Sequence, residues 1–582
     1  MAFDGLMMSA VKDELKKILV GSRIEKIYQP LAHETVLIVH REKSRHRLLV
    51  SAHARDARIH ITAGSRENPL TPPQFCMVLR KHLTGGRISG FDQAGLERIL
   101  VIRIEAVNEL GIPSEKALIC EIMGKHSNII LVEPATNLIL DGINRYSYAT
   151  SRHREVLPGR RYIPPPDHGK IDPLTLTENI FRDAVWDPNI EIHMEKVLLK
   201  KFSGLSPQTC REILVRAGIH PQTSNQSLGD IELNSLWSSF NTIIENTLSG
   251  IYEPSLYYKG SSPKAFSAIR LTHLPDVRCK TGTVSQVLDE FFTARALREK
   301  FQDYVKHLLK ITGNEIKKCQ KKIAIYRETL KEAANAEQFK VFGELVTANI
   351  YQIPQQAEIV EVVNYYDPEG QTVSIPLDPQ LSSAQNAQAY FKKYAKTRNS
   401  LLFAQNRLAV TQTELDYLES VNIALEQSER FSDLEEIKSE LIKEGYIAEE
   451  KVAAAGRKPA GGHEPAVMSF AVDGFELLAG RNNRQNDYLT MKLARPDDLW
   501  LHTKDIPGAH IIIRNPEGRE IPDPVVQKAA GIAAYFSKGR NSSKVPVDYT
   551  LKKNVRKPKG AKPGMVIYDN HRTILAEPWE FS

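Results

Sequence analysis

The chain has 582 residues, a net charge of +7 and 42% hydrophobic residues, a globular composition that excludes a wholly disordered or fibrous protein. Five scattered cysteines (Cys76, Cys120, Cys210, Cys279 and Cys319), none in a Cys-x-x-Cys pair, argue against a disulfide framework or a cysteine zinc site and for reduced thiols in the cytoplasm. No stretch is apolar enough to span a membrane, and no basic segment precedes an apolar run at the start, so neither a membrane anchor nor a signal peptide is expected.

Residues 4–20 place Leu6, Val11, Leu15, Ile18 and Leu19 at helical spacing. Thr35–His40, His46–His53 and Arg58–Thr62 alternate as antiparallel strands. Thr71-Pro72-Pro73 opens a helix, with Thr71 as cap and Pro72 at the first position. That helix runs through Phe75, Cys76 and Leu79 to Gly85-Gly86 and carries Arg80, Lys81 and His82. Strands are predicted at Ile99–Val107, Lys116–Met123, Asn128–Glu133 and Leu138–Asn144. Pro164-Pro165-Pro166 closes this first domain, 1–175, predicted as α+β on a twisted antiparallel sheet.

Residues 176–250 read as helical. Within them, two short helices flank Phe202-Ser203-Gly204-Leu205-Ser206-Pro207, a helix-hairpin-helix pattern whose turn can aim backbone N–H groups at a phosphate. A plain helical spacer fits the same residues. Residues 251–452 are dominated by two heptad segments, Val284–Lys340 and Asn386–Lys443. The first repeats Val305, Leu309, Ile316, Cys319, Ile323, Tyr326, Leu330 and Ala333; the second repeats Leu401, Leu408, Leu415, Leu418 and Leu425. They read as an antiparallel coiled-coil arm with a small tip module at about 341–385, although a coiled coil that only dimerises has the same pattern. About 50 helical residues reach roughly 75 Å, a length suited to gripping a large object at two distant points.

A linker is predicted over 453–465, where Ala, Gly and Pro dominate, before a last domain over 466–582. That domain opens with a hairpin, has Gly480–Asp487 at its centre, and continues into Asp498–Arg514. Alternation puts Leu499 and Leu501 on one strand face, and Trp500, His502 and Lys504 on the other. A helix follows, with Asp523 as cap, Pro524 at its first position and Gly539 as its stop. Then Lys538, Arg540, Lys544, Lys552, Lys553, Arg556, Lys557, Lys559 and Lys562 stand against one acid, Asp548, as a phosphate-backbone footprint.

Searches for the phosphate-binding, dinucleotide-binding, zinc-protease and serine-hydrolase signatures find none. His502, Lys504, Asp505 and His510 cluster in sequence, but RNA-backbone contact or a structural network suits them at least as well as acid–base work. The expectation is a binding protein with several contact surfaces and no catalytic residue, cofactor or metal.

Several motifs together resemble the NFACT-domain family, in order along nearly the whole chain. They are the opening Met1-Ala2-Phe3-Asp4-Gly5, Met77–Leu83, Glu121-Ile122-Met123-Gly124-Lys125-His126-Ser127-Asn128 and Leu157-Pro158-Gly159. Further on come Ala348-Asn349-Ile350-Tyr351, Ile375–Pro379, Asn386–Phe391, Asp498–Arg514 and Val547–Pro558. The resemblance implies an N-terminal domain related to the formamidopyrimidine-DNA glycosylase fold, a helix-hairpin-helix domain, the arm and a C-terminal α+β RNA-binding domain. It implies a ribosome quality control factor that binds a large ribosomal subunit still carrying peptidyl-tRNA. Such a factor recruits tRNA, alanyl-tRNA in bacteria, to add a C-terminal alanine tail that marks the stalled chain for degradation. The ribosome makes the peptide bond. A monomer is expected, with a small RNA-binding partner of the RqcP type and no membrane.

The resemblance also suggests site residues. An acid followed by arginine, usually Asp-Arg, is implicated in tRNA binding, and here it is Glu97-Arg98; the extra methylene of Glu97 alters the reach of the acid. Glu121-Ile122-Met123 is likewise linked to tRNA, although Ile122 in a strand reads equally as core, and Arg80 and Lys125 are added as nearby phosphate contacts. For ribosomal RNA the candidates are Trp500, His502, Lys504, Arg514, Lys552, Lys553, Arg556 and Lys557. The glycosylase relation leaves a DNA-acting protein as an alternative, but those enzymes use an N-terminal proline and glutamate where this chain has Ala2 and Phe3. A matrix-binding adhesin and a coiled-coil scaffold stay open beside it.

Overall fold

The computed structural model describes residues 3–107, 111–149, 151, 153–166, 169–186, 191–274, 277–333, 335–448 and 466–580. The predicted linker 453–465, Ala2 and the side chain of Ala333 lie outside the described residues. The chain is mixed α+β and divides into two compact units, Met1–Arg298 and Glu299–Ser582.

In the first unit, helix Gly5–Leu19 is capped by Asp4 and buries Leu6, Val11, Leu15 and Leu19. It lies against a nine-stranded antiparallel sheet made of two meanders. One runs Arg23–Leu31, Glu34–Arg41, Ser44–Ser51 and Arg58–Ile61; the other runs Arg87–Asp92, Ile99–Val107, Pro113–Glu121, Asn128–Glu133 and Leu138–Gly142. They meet through the pairing of Arg23 with Arg87. Strands Arg23–Leu31 and Arg87–Asp92 escaped the sequence reading. Each carries a register shift, after Ile24 and after Ile88, which breaks the alternation that marks a strand. The helix predicted to start at Thr71-Pro72 instead spans Gln74–Leu83, with Pro73 at its cap position.

Helices Glu178–Val185, Met194–Lys201, Pro207–Arg216 and Asp230–Leu248 follow, then a three-stranded sheet of Ser262–Ser267, Ser255–Lys259 and Arg278–Thr281. One apolar core runs from Phe3 through Phe181, Phe202 and Phe240 to Phe292. The long helix Val284–Ala333 begins against strand Arg58–Ile61. There Asp289 accepts hydrogen bonds from Thr62 Oγ1 at 2.6 Å and Ala63 N at 3.0 Å, and Ser285 Oγ accepts from Ile61 N at 3.0 Å. A helix thus covers an edge strand whose polar backbone would otherwise be open to pairing.

In the second unit, helix Ser383–Glu426 runs antiparallel to the long helix, where Thr312 meets Asn422 and Tyr326 meets Phe403, and continues along helix Ala336–Ala348, where Glu337 meets Tyr394. The seam buries Leu308, Thr312, Cys319 and Ile323 against Leu415, Leu418, Val421 and Leu425. Val305, Leu309 and Ile316 of the predicted seam are only partly buried. The second heptad segment is two helices, because the chain turns at Gln427 and resumes as Phe431–Lys443. The tip holds helix Ala336–Ala348 and a hairpin of Ile359–Val363 and Thr372–Pro376 around Leu345, Val346 and Ile375.

The C-terminal sheet has six antiparallel strands in the order Met468–Val472, Phe475–Ala479, Ile511–Ile513, Leu499–Thr503, Val545–Leu551, Arg572–Ala576. Helix Asp523–Tyr535 covers one face. Its cap position is Pro522 rather than Asp523, and it stops at Tyr535, ahead of Gly539. The sheet's other face is covered by the helical segment Asn483–Leu493 and by Val555 and Tyr568. Polar residues at the start of that segment and just before it bond to the arm's base: Arg481 to Asp433 at 3.2 Å, Asn482 and Gln485 to Glu436 at 2.9 Å, and Asn483 to Glu440 at 3.2 Å.

Candidate nucleic-acid interfaces

Antiparallel pairing of Ile99 with Glu121 fixes the first site. Glu97-Arg98 lies just before one strand and Ile122-Met123 just after its neighbour, so two motifs distant in sequence become adjacent. The Ile122 N–H donates to the Arg98 carbonyl at 2.9 Å. Gln93 Nε2 donates to the carbonyls of Glu97 at 2.8 Å and Gly5 at 3.1 Å, which ties the loop to the first helix.

The helix-hairpin-helix turn closes on the same loop. The Gly5 N–H donates to the Gly204 carbonyl at 2.7 Å. A Cβ at Gly5 would stand 2.0 Å from the Leu96 carbonyl oxygen, and one at Gly204 (φ +71°) would stand 2.3 Å from it, so both positions require glycine. The buried Asp4 carboxylate accepts from Met7 N at 3.0 Å, Ser206 Oγ at 2.7 Å and Thr209 Oγ1 at 2.6 Å. Burial raises its pKa, against the lowering effect of these bonds and of the nearby Arg98 charge. The turn residues Ser203, Gly204, Leu205, Ser206 and Pro207 stand at the surface of the cleft over this junction. The N-terminus of helix Pro207–Arg216 is capped by Ser206, whose Oγ accepts from Thr209 N at 3.2 Å, and Ser206 in turn binds the Asp4 carboxylate.

A cleft of about 1910 Å³ opens over this junction. Glu97 and Lys125 line it and are exposed; Arg98 and Met123 line it half-buried. Glu121 and Ile122 do not: both are fully buried, so as direct contacts they are corrected to supports of the wall. Arg80 is also elsewhere, donating to the Ile27 carbonyl at 2.8 Å with its guanidinium 5.8 Å from the Tyr28 ring. The sequence reading missed Lys170, Tyr146, Tyr162 and Arg154, which line the cleft. Apart from the Pro-rich run beside Tyr162, no local pattern marks them; Arg154 and Tyr162 reach Glu121 from the segment after the last strand, and Lys170 is held by the Leu199 carbonyl at 2.8 Å.

The C-terminal candidates divide by burial. Trp500, read as an RNA contact, is fully buried among Leu478, Leu489, Ile512 and Val555. The strand alternates as its sequence says, but the second face of the sheet is covered rather than open. His502 is half-buried and stacks 5.8 Å from the Trp500 ring; burial holds its pKa down at about 4. His510 accepts or donates at Thr490 Oγ1, 2.8 Å away, and burial pushes its pKa well below the ordinary value. Arg514 is half-buried, and its Nη1 bonds to the Leu493 carbonyl at 3.0 Å and to Asp498 at 3.4 Å. Lys557 pairs with Asp487. Exposed Lys553, and half-buried Lys504 and Lys552, form no ion pair among the described residues, while exposed Arg556 lies 3.6 Å from Asp569. Of the ribosomal RNA candidates, Lys504, Lys552, Lys553 and the exposed Arg556 therefore stay accessible, with exposed Lys544 and Lys559 beside them in the basic stretch. Two further lysines of the basic stretch turn to the arm's base, Lys538 to Glu419 at 2.8 Å and Lys562 to Glu444 at 2.5 Å.

Among the described residues, no group of three or more His, Cys, Asp or Glu could hold a metal ion, and no helix is long and apolar enough to cross a membrane.

The family model for the NFACT N-terminal and middle domains matches residues 4–459, and the model for the NFACT protein RNA-binding domain matches residues 467–570. The Rqc2 homolog RqcH of Bacillus subtilis is 38% identical over 99% of this chain and 98% of its own length. The Rqc2 homolog RqcH of Streptococcus suis is 33% identical over 100% of this chain and 99% of its own. Among solved structures, the fibrinogen binding protein from Staphylococcus aureus is 29% identical over 50% of this chain and 99% of its own, with a TM-score of 0.43.

Proposed function

This chain belongs to the NFACT family, and from that premise we propose that it is a cytoplasmic ribosome quality control factor. In this reading it binds a large subunit obstructed by peptidyl-tRNA and recruits alanyl-tRNA, so that the ribosome adds a C-terminal alanine tail. The chain itself supplies binding and no catalysis. Full-length similarity to two proteins named as Rqc2 homologs supports the ribosomal role.

The observation that carries the tRNA assignment is convergence. Glu97, Arg98, Met123 and Lys125, drawn from two strand ends, face one cleft together with Tyr146, Tyr162 and Lys170. Cations for phosphates beside aromatic rings for unstacked bases are what an RNA loop calls for. Lys504, Lys552, Lys553 and Arg556 serve ribosomal RNA in the same reading, as backbone contacts without base specificity. A small RNA-binding partner of the RqcP type completes the assembly.

The test is a pull-down of the tagged chain from cells, with bound RNA sequenced. Large-subunit RNA without small-subunit RNA, together with one dominant tRNA family, is the expected result, and that family names the tailing amino acid. Recovery of DNA instead, or of no nucleic acid at low salt, brings the DNA-acting, adhesin and scaffold readings back to the front.

A further inference from the structure

One wall of the cleft is the segment 153–166, which ends in Tyr162, Pro164, Pro165 and Pro166 at the cleft's surface. Backbone bonds hold its start, with Val156 N on the Tyr146 carbonyl at 2.9 Å, and Tyr162 N on the Asn137 carbonyl at 2.9 Å. Val156 is buried in an apolar cluster with Ile130, Val132 and Ile139, on which Tyr162 also packs, while polar bonds tie the segment to Glu121. Arg154 donates from Nη1 to Glu121 Oε1 at 2.7 Å and from Nη2 to Oε2 at 2.5 Å. The same Nη1 donates to the Ile163 carbonyl at 2.7 Å, immediately before the proline run. Tyr162 donates its hydroxyl to Glu121 Oε1 at 2.9 Å.

Glu121 is 0% exposed and both its oxygens are engaged, so it is closed to a ligand. It nonetheless stands between the two halves of the site. On one side Arg154 carries its hold to the proline wall; on the other the Ile122 N–H holds the Arg98 carbonyl. A paired arginine and carboxylate of this depth keep one geometry, because either alone is a buried charge without a counterpart. The planar guanidinium makes three bonds in a fixed fork, which a lysine ammonium does not reproduce.

We propose that Arg154 is a positioning residue of the RNA cleft, and that Glu121 acts on bound tRNA through Arg154 and Tyr162 rather than by touching it. The inference rests on the reading that the cleft takes tRNA. In it the pair fixes the distance between the proline wall and the Arg98 loop.

The test measures binding of unfractionated tRNA to the full chain at 25 °C, with large-subunit binding and melting temperature recorded in parallel. Glu121→Ala and Arg154→Ala are each expected to weaken tRNA binding by about 10-fold or more, and the double variant by no more than the worse single, as for residues acting as one unit. Arg154→Lys follows Arg154→Ala. Glu121→Leu combined with Arg154→Met, an apolar pair of similar volume, is expected to return binding to within about 3-fold of the parent by holding the wall without charge. Large-subunit binding stays unchanged throughout, which a general loss of folding would not permit. Losses that multiply in the double variant, or an Arg154→Ala chain that binds tRNA normally, overturn the proposal. If the charge-pair variants do not fold, Tyr162→Phe decides: an unchanged affinity overturns the proposal, and a loss of about 2- to 5-fold at constant melting temperature supports it. A parent chain that binds no tRNA overturns the underlying reading instead, and this one with it.

Discussion

At the N-terminal cleft the candidate contacts sit on loops at strand ends, held from behind by buried polar groups. In the C-terminal domain the most conspicuous candidate, Trp500, lies within a strand buried on both faces. The open cations there come from the strand's margins and from the turn after Leu551. The difference teaches that position along a strand decides function more than residue type does. A tryptophan mid-strand is claimed by packing, while a lysine on a turn is free for phosphate.

Substitutions can break this comparison, the largest effects first. Trp500→Ala leaves a cavity in the second C-terminal core and is expected to cost about 3–5 kcal/mol of stability. Thermal or denaturant unfolding measures it; an unshifted melting point with selectively weakened RNA binding would return Trp500 to the contact surface. Gly204→Ala forces a Cβ toward the Leu96 carbonyl at a positive φ. It is expected to cost about 2 kcal/mol or more and to move the Arg98 loop, lowering tRNA affinity well beyond any change in large-subunit binding.

Charge reversal at Lys552, Lys553 and Arg556 is expected to leave melting unchanged. It should weaken large-subunit association and reduce the slope of log affinity against log salt by about 2–3. A salt titration of the variant beside the parent reads that slope directly, and an unchanged slope removes these residues from the interface.

A pH dependence follows from histidines whose pKa values burial lowers, to which His502 contributes beside His510 and His60. His502, held down at about 4 by burial, stays neutral in the folded chain where the unfolded chain takes up a proton near 6.5. Stability is therefore full above pH 6.5 and declines as pH falls from there toward 4. Replacing His502 with Gln should reduce the fall in melting temperature over that window by the share His502 carries, leaving that of His510 and His60; an unaltered profile would remove His502 from it.

Much of this was legible in the sequence, and the failures share a cause. Heptads located both long helices, and the apolar strand-like runs marked Ile99–Val107 and Asn128–Glu133 with the bounds the structure shows. Bulges hid Arg23–Leu31 and Arg87–Asp92, because an extra residue resets the period. Periodicity also says which residues share a face without saying what covers it. That is why Trp500 read as exposed, and why the heptad seam omitted the polar Thr312, buried beside Leu308. Glu97-Arg98 and Glu121-Ile122-Met123 were found through family resemblance, but the hydrogen bonds that join them, and the role of Arg154, exist only once the sheet is paired.

The most direct test of the account cross-links the full chain to RNA in living cells and compares the parent with Arg98→Ala. The account predicts that tRNA is lost from the variant while large-subunit ribosomal RNA remains, because separate surfaces hold the two. Loss of both RNAs together, or retention of tRNA by Arg98→Ala, would contradict it.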